Sequence, residues 1–212
     1  MAEIPFFASR NGWKKAVDAL LDHEPGFETV VKAHRGQQLL IHRARSVYEY
    51  LLRAIIYQQI TGSAAHTIHS NFLNLFPLRR PNPDLLLRMS QQKLRSAGLS
   101  RPKLRAIRDL ARYQKEGHLP GFAKLANWEE EEIIDQLTEI HGIGRWTVQM
   151  LLIFQLARPD VLPSNDLGVR KGATIILNKR KELTVPELEK RAQRWAPYRS
   201  IASWYCWRAT EL

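Results

Sequence analysis

A Gly-Ile-Gly turn between two helical stretches constrains the fold of this chain more than any other feature of its sequence. Residues 137–151 are LTEIHGIGRWTVQML, in which HGIG separates two segments with helical patterns. Glycine adopts positive φ and lets other atoms approach the backbone closely. The N–H groups that open the second helix have no intrahelical acceptor and carry the positive end of the helix dipole. Such a turn can bind a phosphate without contacting bases, although an ordinary tight turn between packed helices also suits these residues.

The rest of the sequence predicts an all-α fold with short connections. Helical periodicity recurs along the chain, with prolines, glycines and capping residues between the periodic segments. Segment 46–60 opens with a serine cap and has Glu49 three residues later, whereas segment 145–157 is apolar almost all round and indicates a buried helix. We expect Asn127 to cap the helix NWEEEEIIDQLTEI, and we expect the first 45 residues to be helical. No segment shows the alternation of a half-buried strand.

Charge and composition narrow the function classes. The 212 residues carry a net charge of +11, and the pI near 10.0 favours a polyanionic partner such as nucleic acid. No apolar run approaches the roughly 18 residues of a membrane span, and the N-terminal residues lack the pattern of a signal peptide. The single cysteine, Cys206, excludes an intrachain disulfide, a four-cysteine zinc site and an iron–sulfur cluster. A single cysteine indicates a reducing compartment, so we expect a protein of the cytoplasm (nucleoid-associated) or the nucleus, without membrane contact. The spacing of the histidines predicts no metal site.

Several motifs around the hairpin resemble the helix-hairpin-helix-GPD superfamily of DNA glycosylases. EIHGIGRWTVQM is followed by Asp166 in VLPSNDLGVRKGA, and LLRAIIYQQI, LRSAGLSRPKLRAIRDLA and RWAPYRSIASWYCW are similar to further motifs of that superfamily. The GRWT run and the last motif point to its alkylpurine branch, 3-methyladenine DNA glycosylase II. The likeness covers residues from about 45 to 210. It implies one glycosylase domain over 1–212 with two helical lobes flanking a cleft, one from about 45–160 and the other from the N-terminal segment plus about 161–212.

The resemblance assigns the chemistry to Asp166. Cleavage of a glycosidic bond passes through a positively charged sugar, which a nearby carboxylate stabilises. Asp166 also stands where it can cap the following helix, and the two roles are compatible. Bifunctional relatives have a lysine at the position of Trp146, which forms a Schiff base and nicks the strand. Trp146 cannot do so and Arg145 is too basic, so the resemblance implies hydrolysis that leaves an abasic site in an intact strand.

A base pocket is also implied. Alkylated purines such as 3-methyladenine and 7-methylguanine are positively charged, so they leave readily and bind to aromatic faces. The resemblance places Trp146 and Trp207 in the pocket. Met150 and Arg208 stand where the family has aromatic residues, and Tyr57 is among the aromatic residues that could compensate. Each aromatic residue also suits the core.

DNA contacts are expected from the hairpin, from the end of the early helix and from a basic segment. We assign them to Gly142, Gly144, Arg145, Thr147, Gln59, Ile60, Arg101 and Lys103. Gln59, with Ile60 beside it, would fill the gap left by a flipped base, although two glutamines also suit a helix end. Arg105 and Arg108 join the basic segment, for which a solvated charged face is the alternative.

The hairpin also suggests a structural ion. Carbonyl oxygens of such a turn can point inward, and here those of Thr138, Ile140 and Ile143 would hold Na⁺ or K⁺. No other cofactor is expected to be required. His141 stands where the hairpin usually has proline.

The sequence therefore predicts a monomeric, monofunctional glycosylase that excises alkylated purines from double-stranded DNA in base excision repair. Two alternatives remain open. One is a non-catalytic helix-hairpin-helix protein that binds damaged or abasic DNA. The other is an enzyme for oxidised or mismatched bases, which the missing lysine at position 146 and the missing cluster cysteines disfavour.

Overall fold

Thirteen α-helices and three short 3₁₀ segments make up the described part of this computed structural model, residues 10–41 and 44–212. No β-strand occurs in these ranges, and the all-α prediction is confirmed. The helices are α1 (Arg10–His23), α2 (Glu28–Ala33), α3 (Val47–Tyr57), α4 (Gly62–Leu73), α5 (Pro83–Arg88), α6 (Gln91–Ser96), α7 (Arg101–Lys115), α8 (Phe122–Leu125), α9 (Glu130–Thr138), α10 (Arg145–Phe154), α11 (Leu167–Ile176), α12 (Val185–Ala192) and α13 (Arg199–Ala209). Among the described residues, none of the helices is both long and apolar enough to cross a membrane.

The chain forms two compact units. Ala44–Val148 form the central unit, which contains α3 to α9. Met1–Arg43 and Gln149–Leu212 form the terminal unit, which contains α1, α2 and α11 to α13. One division between the units falls inside α10. The helices expected in the first 45 residues are α1 and α2, while residues 1–9, 42 and 43, including the start of the segment expected not to be a signal peptide, lie outside the described residues.

The central unit packs around α7. This helix contacts α3, α5 and α6. Its apolar residues Leu104, Ile107 and Leu110 recur every three residues and are at most 4% exposed. Leu51 and Ile55 of α3 are completely buried. The amphipathic pattern of α7 therefore fixes the core of the central unit.

The terminal unit packs around α13, whose main contact is α11. Trp204 and Tyr205 of α13 meet Trp13 of α1 with ring centroids 5.3 and 6.0 Å apart. At the start of α13, the guanidinium of Arg199 donates to both carboxylate oxygens of Asp160 at 2.8 Å. Apolar packing and this ion pair together hold α13 at the centre of the unit.

Several helix ends differ from the sequence prediction, and one of them is the end of α10, which stops at Phe154 instead of residue 157. Helix α9 begins at Glu130, with Glu129 and not Asn127 in the N-cap position. The side chain of Asn127 donates to the Ala123 carbonyl at 3.1 Å and so closes the preceding helix. Helix α3 begins as predicted, with the Ser46 hydroxyl accepting the Glu49 N–H at 3.1 Å.

The other end of α3 also differs. The helix stops at Tyr57, because Gln58 has ψ 134° and Gln59 has φ +57°. Gln58, Gln59 and Ile60 therefore lie in a turn outside the helix predicted over 46–60.

Candidate functional site

The hairpin joins α9 to α10 through a closed turn. The N–H of Ile143 donates to the Ile140 carbonyl at 3.0 Å, and Gly142, the third residue of the turn, has φ +84°. A type II turn requires positive φ at this position. Both isoleucines are buried, with 0% and 4% of their surface exposed. His141, Gly142 and Gly144 are exposed. The HGIG sequence thus places its isoleucines in the core and its glycine backbone at the surface.

Two polar side chains from elsewhere in the central unit hold this turn. Oδ2 of Asp109, in α7, accepts the backbone N–H of His141 at 2.8 Å. Gln58 donates from Nε2 to the Gly142 carbonyl at 3.1 Å and to the Thr147 hydroxyl at 3.4 Å. The sequence analysis assigned neither Asp109 nor Gln58 to the hairpin, since both reach it from distant parts of the chain. The only local signal was the Gln-Gln pair after α3.

The first turn of α10 carries three of the predicted residues. Arg145 forms an ion pair with both carboxylate oxygens of Glu131 in α9. Trp146 is 46% exposed, which is unusual for so large an apolar side chain. Thr147 is buried and accepts the hydrogen bond from Gln58, so it stabilises the hairpin from inside.

The turn after α3 forms an exposed tip. Gln59 lies in the left-handed region, which residues other than glycine adopt at a cost on the order of 1 kcal/mol. Gln59 is exposed and Ile60 is 36% exposed. The neighbouring Gln58 is anchored to the hairpin. Gln58 therefore fixes the position of the tip, and the two residues predicted to fill the gap, Gln59 and Ile60, follow it directly.

A basic cavity of about 490 Å³ lies beside the hairpin turn. It is lined by Leu87, Arg105, Arg108, Asp109, Arg112 and His141. Arg112 pairs with Asp109 at 2.8 Å, Arg108 donates to the Met89 carbonyl, and Arg105 is exposed. Three guanidinium groups and one carboxylate give the lining a net positive charge, which suits the binding of a phosphate.

The two predicted cations at the start of α7 differ in their surroundings. Arg101 is exposed at the first residue of the helix. Lys103 is half-buried and donates from Nζ to the Ile56 carbonyl at 2.6 Å, and burial lowers the pKa of its ammonium group. Lys103 therefore joins α7 to the last turn of α3, whereas Arg101 lies at the surface.

Tyr57 packs at the end of α3. The Arg53 guanidinium lies 4.2 Å from its ring centroid, and the His69 ring meets its edge with centroids 5.9 Å apart. Burial, followed by the charge of Arg53, lowers the pKa of His69. Tyr57 is therefore part of the packing of α3 on α4.

In the terminal unit, Asp166 caps α11. Its Oδ1 accepts the Val169 N–H at 2.9 Å, and its own N–H donates to the Pro163 carbonyl at 2.9 Å. The indole N–H of Trp207 donates to the same Oδ1 at 3.0 Å. Asp166 is only half-buried. The predicted cap is confirmed, and the cap leaves a carboxyl group at the surface of its unit.

Trp207 lies between this carboxylate and an aromatic ring. Phe154 stacks on the indole with centroids 5.9 Å apart and planes inclined by 24°. Burial, and then the carboxylate of Asp166, raise the pKa of the neighbouring Cys206 thiol, so that the thiol stays neutral. The indole N–H of Trp207, the only hydrogen-bond donor of its side chain, is therefore bound to Asp166.

Of the other two predicted pocket residues of the terminal unit, Met150 is buried and Arg208 has a charged and an aromatic partner. Met150 is 8% exposed. Arg208 pairs with Glu211 at 3.0 Å, and its guanidinium lies 5.7 Å from the Trp204 ring centroid. Both side chains contribute to the packing of this unit.

Comparisons with known proteins match almost the whole chain. The model of the HhH-GPD superfamily base excision DNA repair protein matches residues 52–197. DNA-3-methyladenine glycosylase 1 of Schizosaccharomyces pombe is 32% identical over 100% of this chain and 87% of its own length. A putative DNA-3-methyladenine glycosylase of Bacillus subtilis, YfjP, is 30% identical over 94% of this chain and 71% of its own length.

Solved structures of glycosylases also match almost the whole chain. The S. pombe 3-methyladenine DNA glycosylase Mag1, solved in complex with abasic DNA, superposes with a TM-score of 0.82 at 32% identity and covers 93% of this chain and 97% of its own. A DNA-3-methyladenine glycosidase of Bacillus halodurans superposes with a TM-score of 0.80 at 28% identity and covers 92% of this chain and 88% of its own. The resemblance seen in the motifs is confirmed. The chain belongs to the HhH-GPD superfamily of base excision DNA repair proteins.

Proposed function

We propose that this protein is a DNA glycosylase that excises alkylated purines, such as 3-methyladenine and 7-methylguanine, in base excision repair. It hydrolyses the N-glycosidic bond of a flipped nucleotide and leaves an abasic site in an intact strand. Relatives named as 3-methyladenine glycosylases support this function, as does a structural neighbour solved with abasic DNA, which is what such a reaction produces.

The observation that carries the proposal is the Asp166 carboxylate, held by two N–H donors at the surface of its unit. A fixed negative charge beside the sugar stabilises the positive charge that develops there as the bond to the base breaks. Water adds to the anomeric carbon and gives up a proton to the solvent, and the bonding electron pair leaves with the base. Because an alkylated purine is cationic, it becomes neutral on leaving and needs no strong general acid.

Trp146 supplies the aromatic face for the base in this proposal. Nearly half of its surface is exposed, and a cationic purine stacked on an indole gains about 0.5–2 kcal/mol. Gln59 and Ile60 fill the space that the flipped nucleotide leaves in the duplex.

The first test is product analysis. Incubation with methylated duplex DNA is expected to release free 7-methylguanine and 3-methyladenine, detected by chromatography. The strand should remain intact on a denaturing gel until alkali is added. Because residue 146 is Trp and not Lys, borohydride added during the reaction should trap no covalent protein–DNA complex. Binding to abasic DNA without any base release would instead support the non-catalytic alternative.

The second test concerns phosphate contacts beside the hairpin. Replacing Arg105 by Ala is expected to weaken binding to all duplexes alike and to reduce the slope of log K against log salt concentration by about 1. Lys32→Ala is the control, because Lys32 is an exposed cation of α2 already paired with Glu28 at 2.6 Å. An unchanged slope in Arg105→Ala would rule out a phosphate contact there.

We also propose a structural Na⁺ or K⁺ on the carbonyl oxygens of Thr138, Ile140 and Ile143. The Ile140 carbonyl accepts the Ile143 N–H, and a carbonyl oxygen keeps a second lone pair that can bind a cation. The ion would hold the turn and take no part in hydrolysis. The protein acts as a monomer on double-stranded DNA, in the nucleoid or the nucleus.

A further inference from the structure

We propose that Trp207 is a positioning residue for the Asp166 carboxylate, and that residue 168 is a glycine because this contact needs the space of its missing side chain. The inference rests on the proposed catalytic role of Asp166. It gives Trp207 a function through its N–H group, distinct from the expected one as an aromatic wall for the base.

The hydrogen bonds define the orientation of the carboxylate. The indole N–H of Trp207 and the backbone N–H of Val169 donate to the same oxygen, Oδ1, at 3.0 and 2.9 Å. Twisting the carboxyl group out of its present plane about the Cβ–Cγ bond would break both hydrogen bonds, whereas a half-turn only exchanges its two equivalent oxygens. A side-chain donor from α13 therefore complements a backbone donor that any N-cap residue would have.

Space for this contact comes from Gly168. A Cβ atom at residue 168 would lie 2.9 Å from Cδ1 and 3.3 Å from Nε1 of Trp207, and 3.1 Å from Oδ1 of Asp166. The first of these distances is shorter than real Cβ contacts allow. Gly168 is not among the glycines with positive φ, so a glycine is needed here for space and not for backbone conformation.

The indole is constrained on one face. Phe154 stacks on one face of Trp207, and the ring is a rigid group rather than the end of a flexible chain. A side chain at position 168 would therefore displace the indole from Asp166. The hydrogen bond between Trp207 and Asp166 therefore requires a glycine at position 168.

Trp207→Phe tests the N–H group directly, because phenylalanine keeps an aromatic face and lacks the donor. The single-turnover rate of 7-methylguanine release is expected to fall about 10- to 100-fold, the effect of losing a hydrogen bond to a charged group. The dissociation constant for abasic DNA should change less than about twofold. Gly168→Ala should show the same separation of rate from binding.

Combining variants separates this inference from the proposed function. In an Asp166→Asn background, Trp207→Phe should cause no further loss of rate, since both changes act on the same group. Trp128→Phe, at a half-buried tryptophan of the central unit, is the control and should keep the wild-type rate. Thermal unfolding of each variant shows whether it is folded, and Gly168→Ala replaces Trp207→Phe if the latter is not.

Three results would overturn the inference. They are a wild-type rate in folded Trp207→Phe, an equal loss of rate and of binding, and a full additional loss in the Asp166→Asn background. A wild-type rate in Asp166→Asn itself would overturn the proposed function instead.

Discussion

Replacing Asp166 by asparagine is expected to lower the single-turnover rate of 7-methylguanine release by a factor of about 10²–10³, as the loss of a preorganised electrostatic contact does in other enzymes. The asparagine carbonyl can accept the same two hydrogen bonds, from Val169 and Trp207. Asn and Asp are equally good N-caps, so the fold should persist. What is lost is the negative charge beside the sugar.

The controls for Asp166→Asn use binding and a second carboxylate. Affinity for abasic DNA should persist, because the charge matters mainly when the sugar is positive. Asp22→Asn removes an exposed carboxylate of α1 in the same unit and should keep the wild-type rate. A folded Asp166→Asn protein with full activity would exclude the catalytic role.

Gly142→Ala is expected to lower the free energy of unfolding by about 2 kcal/mol or more. A side chain at φ +84° costs about 1–2 kcal/mol. The new Cβ would in addition lie 2.7 Å from the Cβ of Ala106, in the buried face of α7. Urea denaturation measures the change, and affinity for duplex DNA should fall with it because the turn is displaced.

Gly144→Ala is the matched variant in the same turn. Nothing lies within 4 Å of a Cβ at residue 144, and its φ is not positive, so the free energy of unfolding should stay within about 0.5 kcal/mol of the wild type. Affinity for DNA should nevertheless fall, because the methyl group occupies the open space at the turn that a phosphate would approach. Wild-type DNA affinity in this variant would argue against phosphate binding at the hairpin.

The sequence predicted those features that are encoded locally. Several helices begin or end at prolines, glycines or capping residues, and these signals need no tertiary information. The positive φ within the HGIG turn followed from its glycines, and the cap at Asp166 followed from its place before an amphipathic segment. The family was predicted from several motifs in the right order, and the family model confirms it.

Tertiary contacts account for what the sequence did not predict. Gln58 and Asp109 hold the hairpin from other helices, and no local pattern marks such partners. Lys103 was expected on DNA because it lies in a basic segment, and that prediction does not reveal the hydrogen bond from its ammonium group to the Ile56 carbonyl. The turn that ends α3 has positive φ at Gln59, a conformation that a glutamine in the sequence does not predict.

The pairing of Trp207 with Asp166 shows the same limit. The resemblance assigned the two residues separate roles, one for the base and the other for the sugar. Their hydrogen bond depends on how α13 packs against α11 and on the space at Gly168. The sequence does not indicate that Gly168 lies beside Trp207.

The role of Asp166 is tested most directly by its preference for a positively charged sugar. Duplexes can carry a cationic pyrrolidine or a neutral tetrahydrofuran in place of the abasic sugar, and the two dissociation constants are then compared. The wild-type protein is predicted to bind the cationic duplex at least about tenfold more tightly, and Asp166→Asn is predicted to bind both equally. Equal affinities in the wild type, or an unchanged preference in Asp166→Asn, would contradict the account.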